Sequence, residues 1–174
     1  MAGMNKEQFQ EELRRWIGGM QWSNAIAFTG HLRSSVADRH IRTKYDRNMA
    51  AVRQNRFFCT RLDREIYGSS AKATRGGKRV PRVLVVEEGA LRTHVHGCFA
   101  FPEWVDEPTA ANALKACWLA GPYGLNDAQC DPMVSSTFIT SADPSWFGYI
   151  FKQVDAESFS VDYQSLVLPG ADKN

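Results

Sequence analysis

Apolar residues recur along this chain with two periods, one helical and one strand-like, and the switches between them outline its elements. Between residues 5 and 19, Phe9, Leu13, Trp16 and Ile17 fall on one helix face, and Gly18-Gly19 ends the pattern. Ala25-Ile26-Ala27-Phe28-Thr29 is short and apolar enough for a central strand. From residue 36 to about 67 a long helix is expected, with Ile41, Tyr45, Met49, Val52, Phe57 and Leu62 as its apolar stripe and a second face that is almost all arginine. The polar, glycine-rich stretch SSAKATRGGKR then reads as an exposed loop. Residues 80–86 predict a second strand, Glu87-Glu88-Gly89-Ala90-Leu91-Arg92 a turn, and residues 93–101 a third strand completing a hairpin. Pro102 and Pro108 bracket a loop before a helix over 109–120, which Gly121-Pro122-Tyr123-Gly124 stops. A fourth strand is expected over 133–140, a helix opening at Asp143-Pro144-Ser145-Trp146, and a last strand around 159–168. This alternation predicts an α+β fold, a central, mainly antiparallel five-stranded sheet flanked by helices.

A chain of 174 residues suffices for one well-buried domain, so a single domain over 1–174 is expected. The N-terminal segment reads as an amphipathic helix rather than a signal peptide, and no apolar run reaches the roughly 18 residues of a membrane span. Cys59, Cys98, Cys117 and Cys130 lack any C-x-x-C pairing, which suits reduced, mostly buried thiols in a reducing, cytoplasmic compartment.

The net charge of +2 conceals a strong asymmetry. From Arg33 to Arg82 there are 14 Lys or Arg against 4 acidic residues, a local balance of +10; from Val83 onward 4 basic residues face 12 acidic ones, a balance of −8. Such sorting offers a basic surface to a polyanion and keeps carboxylates for metal or acid–base work. Arg33, Arg42, Lys44, Lys78 and Arg79 are the candidate phosphate contacts within the basic segment.

The candidate chemistry lies in Thr93-His94-Val95-His96-Gly97 and in Tyr149-Ile150-Phe151-Lys152. Residues i and i+2 of a strand share a face, so His94 and His96 offer two imidazoles to one divalent ion. Glu87 or Glu88 is the natural third ligand. On a helix, Lys152 follows Tyr149 by three residues and shares its face, where an ammonium can offset charge on a phosphate or phenolate. A metal-assisted tyrosine nucleophile that forms a phosphotyrosine and frees a hydroxyl on the departing strand is the expected chemistry.

These segments, in this order, resemble the nicking domain of rolling-circle replication initiators in the His-hydrophobic-His (HUH) endonuclease superfamily. Ala27-Phe28-Thr29 resembles the first motif, a strand ending in Phe-Thr that helps bind DNA, which adds Thr29 to the DNA-binding candidates. Glu87-Glu88-Gly89 with His94-Val95-His96 resembles the metal motif, and Tyr149 to Lys152 the nucleophile motif. The resemblance covers roughly residues 24–155. It implies an RRM-like or ferredoxin-like HUH fold, Mg²⁺ or Mn²⁺ as cofactor, and Tyr149 and Lys152 as catalytic residues. It implies Glu88 as the third ligand, because the family's glutamate precedes the turn glycine, with Glu87 and, as in some tyrosine transposases, Gln153 as alternatives.

The activity so implied is sequence-specific nicking and strand transfer on single-stranded DNA at a replication origin of a plasmid or phage, with a hairpin or nick site as substrate. No G-x-x-x-x-G-K-[ST] sequence is present, so no helicase is attached and a host helicase and polymerase are implied partners. A relaxase or a tyrosine transposase would share this chemistry, and an RRM-like nucleic-acid-binding module without cleavage is the alternative outside it.

Overall fold

The computed structural model describes residues 5–33, 43–71, 77–88, 93–125, 137–143, 145–152, 154 and 161–169. Four strands, β1 (Ala25–His31), β2 (Arg82–Glu88), β3 (Thr93–Ala100) and β4 (Thr137–Ser141), form one sheet in the order β2-β3-β1-β4. Every neighbouring pair is antiparallel. Four helices, α1 (Lys6–Gly18), α2 (Lys44–Tyr67), α3 (Glu107–Leu119) and the short α4 (Trp146–Ile150), complete an α+β fold.

Local chemistry fixes where the helices begin. Asn5 and Gln8 form a reciprocal capping box ahead of α1, and Thr43 and Asp46 form another ahead of α2. The Asp106 side chain accepts from the backbone N–H of Thr109 at the start of α3. Before α4 the Asp143 carboxylate takes the N–H and hydroxyl of Ser145 at 2.6 and 2.5 Å, a local turn that starts the helix.

The two sheet faces are packed differently. On one, Phe28, Leu84, Val95 and Phe99 meet Phe58 and Leu62 of α2 and Leu114 and Trp118 of α3 in the main core. Phe28, Phe58, Phe99 and Trp118 are buried, and Phe28 and Phe58 each lie 5.2 to 5.9 Å, centroid to centroid, from the other three rings. Gly30 is required here, since a Cβ on it would lie 2.4 Å from the Trp118 ring. On the other face Val83, Val85 and Cys98 pack with Leu13 and Ile17 of α1 and Phe147 and Ile150 of α4.

Several expectations are corrected. The sheet has four strands among the described residues, not five. The tail meets the outer edge of β2 through isolated bridges, Val85 with Val161 and Arg82 with Val167, because a turn closed on the Asp162 side chain separates them. That tail still shields the sheet edge, and it is anchored by the buried Arg82 guanidinium. Arg82 pairs with Asp63 at 2.5 and 3.0 Å and donates to the Ser165 carbonyl at 3.1 Å. Strand β2 runs to Glu88, so both glutamates belong to a strand rather than a turn. Phe57 lies outside the apolar stripe of α2, 40% exposed among the arginines. Helix α2 begins at Lys44 and not at residue 36, because the extended Thr43 caps it there; residues 36–42 lie outside the described set.

Candidate metal centre

The pairing register decides which side chains meet. Glu87 lies opposite His94 in the β2·β3 ladder, and Thr29 and His31 lie opposite His96 and His94 in the β1·β3 ladder. Directly paired residues of antiparallel strands project to the same face. Glu87, His94, His96, Thr29 and His31 therefore converge on the α1/α4 face. Glu88, one residue on, projects to the opposite face and pairs with Arg47 of α2 at 3.6 Å. The carboxylate beside the two histidines is thus Glu87 and not Glu88; alternation along a strand, absent from a turn, is the physical reason.

Glu87 Oε2 lies 3.0 Å from His96 Nε2, and Oε1 lies 3.7 Å from His94 Nε2. One ligand atom from each of these residues falls within 4.8 Å of the others, with Glu87 and His96 buried. Two imidazoles and a carboxylate on one side of a site make a donor set that could hold a divalent ion and leave positions open for oxygen ligands. The other nitrogen of His96, Nδ1, is 2.8 Å from the buried Thr29 hydroxyl, which fixes the ring and presents Nε2 to the cluster. Burial, reinforced by His94, Lys152 and His31 nearby, pushes the His96 pKa down to about 3, so the ring is neutral at physiological pH, as a ligand must be. Cys98 shares the face but belongs to the core beneath; burial raises its thiol to about 12 and keeps it protonated.

Tyr149 and Lys152 come to the same place. The Tyr149 ring stands edge-on to His96 with centroids 5.1 Å apart and stacks on Trp146 at 5.1 Å. Trp146 is itself pinned by a 2.9 Å hydrogen bond from its indole N–H to the Gly97 carbonyl. Lys152 Nζ sits 3.9 Å from the Tyr149 ring centroid and 3.6 Å from Glu87 Oε1. Helix α4 ends at Ile150, so Lys152 occupies the turn just beyond it rather than the helix itself. Gln10 of α1 holds this turn, donating to the carbonyls of Lys152 and Val154 at 2.9 Å each. A cavity of about 360 Å³ is lined by Thr29, His31, His94, His96, Phe138, Trp146 and Tyr149.

The other candidates are dispersed. Arg33 donates from Nε to the Gly124 carbonyl at 2.9 Å, a bond that anchors the chain leaving β1. Lys78 and Arg79 are exposed on the approach to β2, and Arg79 lines a separate cavity with Arg56 and Arg82. Arg42, Gln153 and the Lys44 side chain lie outside the described set. Sequence reasoning did not assign His31, Trp146 or Phe138 to the site. The alternation of Thr29 and His31 along β1 was the available signal for His31; no pattern along the chain indicates Phe138, which the β1·β4 ladder sets opposite Thr29. Comparison of the chain with protein-family models, with characterised proteins and with solved structures finds no match.

Proposed function

We propose that the chain nicks single-stranded DNA and transfers the cut strand through a covalent bond to Tyr149, with Glu87, His94 and His96 holding Mg²⁺ or Mn²⁺. The observation that carries this reading is the edge-on packing of Tyr149 against His96, with the Lys152 ammonium over the phenol ring. A phosphodiester lodged in the cavity that these rings line would meet nucleophile and ligand set together. A divalent ion at the three donors supplies Lewis-acid charge to the phosphate oxygens.

The residues of the chain do the rest. The Tyr149 phenol gives its proton to solvent and its oxygen bonds to phosphorus; the bond from phosphorus to the departing 3′ oxygen breaks, and that oxygen takes a proton from solvent and leaves as a hydroxyl. One phosphoester replaces another, so reversal rejoins the ends. Lys152 offsets negative charge on the phenol oxygen and phosphate. Thr29 keeps His96 in orientation, a role closer to the site than the DNA contact its motif implies. Trp146, stacked on the phenol ring and tied to β3, limits the swing of Tyr149.

The likeness of the three motifs to rolling-circle initiators supports assigning this chemistry to the start of rolling-circle replication of a plasmid or phage, with host helicase and polymerase acting after the nick. The test is incubation with a single-stranded DNA library and Mn²⁺ or Mg²⁺, followed by a denaturing gel. Wild type should give a covalent adduct that Tyr149→Phe abolishes while binding is retained. Absence of an adduct with either ion refutes the reading, and undiminished adduct in the variant moves the nucleophile, with Tyr163 the next candidate.

A further inference from the structure

We propose that the solvent face of α2 is a second binding surface, one that takes a run of single-stranded DNA away from the site of cleavage. The inference rests on single-stranded DNA being the substrate, and not on its cleavage. Helix α2 buries Ala51, Phe58, Leu62 and Ile66 against the sheet and α3. Its opposite side presents Arg53, Arg56, Arg61 and Arg64, all exposed, against Glu65 as the acidic residue among them. At positions 53, 56, 57, 61 and 64 these side chains follow helical spacing and make one stripe about 16 Å long. They border a groove of about 620 Å³ with Phe57 in its wall, within the size range of ligand sites.

Phe57 decides the kind of partner. Its ring is 40% exposed and has arginines on either side along the helix. A duplex, with its bases stacked inside, could use only the guanidinium groups. A single strand uses both, phosphates on the arginines and an unstacked base on the ring. The surface is distinct from the metal centre. The cluster projects from the α1/α4 face of the sheet, whereas α2 covers the opposite face and turns its arginines outward. A strand held on α2 would have to pass round the sheet to reach Tyr149, which suits a segment flanking the cleavage point and not the scissile phosphate.

The test uses the whole protein in EDTA, so that cleavage plays no part, with a fluorescent oligothymidylate of about 20 nucleotides read by anisotropy. The combined variant Arg53→Gln, Arg56→Gln, Arg61→Gln, Arg64→Gln should bind at least about tenfold more weakly, with the log–log salt dependence flattened by about 0.7 per lost contact. Phe57→Ala should weaken binding by about fivefold or more with the salt slope unchanged. All five positions are exposed, and circular dichroism checks that both variants remain folded. Wild-type affinity and slope in the arginine variant would overturn the proposal and leave a solvated face. A null effect of Phe57→Ala, with a duplex of equal length binding as well as the single strand, would overturn the single-strand assignment. Loss of affinity in both variants, even where wild type forms no covalent adduct, would sustain the surface while the nicking reading fell.

Discussion

Replacing Glu87 and Glu88 one at a time separates the two faces of β2. Glu87 lies 3.0 and 3.7 Å from the two imidazole nitrogens, whereas Glu88 makes a partly exposed pair with Arg47 on the other side of the sheet. An ion at about 100 times its dissociation constant stabilises the fold by about 2.7 kcal/mol. For a chain of this length, each kcal/mol moves Tm by about 2–4 °C, so Mn²⁺ should raise the wild-type Tm by about 5–10 °C. Outer partners of metal ligands are worth about 10- to 100-fold in affinity, and a charged ligand is worth at least the upper figure. Glu87→Ala at the same Mn²⁺ concentration should therefore retain no more than about 0.4 kcal/mol of the stabilisation, a shift of at most about 1–2 °C. Glu88→Ala should lower the ion-free baseline by no more than about 1 kcal/mol and keep the full response. Thermal melts of the three proteins with Mn²⁺ and with EDTA are sufficient. A lost response in Glu88→Ala with a retained one in Glu87→Ala, or a wild type indifferent to Mn²⁺, would refute the reasoning.

Thr29→Val removes the hydroxyl at His96 Nδ1 with little change of shape and should weaken Mn²⁺ binding by about 10- to 100-fold, with Thr29→Ser retaining most of it; a Mn²⁺ titration followed by Tm reads this out. Without metal, the folded His96 pKa lies below its unfolded value near 6.5, so the unfolded chain binds more protons between about 3 and 6.5. Stability should then be lost as pH falls through that window, and urea midpoints in EDTA should show a slope that His96→Gln flattens. Gly30→Ala drives a methyl into the Trp118 ring and should cost about 1–3 kcal/mol, measurable by urea unfolding.

The sequence was most legible where periodicity is local. The strand alternation at His94 and His96 and the amphipathic pattern of α2 need only neighbouring residues, and the structure has the two histidines on one strand face and α2 on the core, with Phe57 as the exception; the spacing of Tyr149 and Lys152 brought the two together although α4 ends between them. The choice between Glu87 and Glu88 was not legible, because it depends on whether β2 stops before them or runs through them, and that is set by pairing with β3. Phe138 and Trp146 enter the cavity through long-range pairing and a side-chain bond to Gly97, which no local pattern encodes. The tail read as a strand because its composition suits one, yet the Asp162 turn interrupts its pairing with β2.

The two hydrogen bonds from Gln10 join positions 142 and 144 residues apart in the chain. Helix α4 has five residues, too few to hold its own shape in water, so its alignment depends on α1 as a bracket. The Glu87, His94 and His96 side chains all stand on β2 and β3. If the proposed function holds, occupancy of the ion site and reactivity of the phenol would be separable, and loosening of α1 would disturb Tyr149 before the three donors. Ion binding would report formation of the sheet, and the covalent adduct would report that both ends of the chain have closed on each other. Under the proposed chemistry, reactivity would then depend on a contact that is remote in the chain from the donors of the ion.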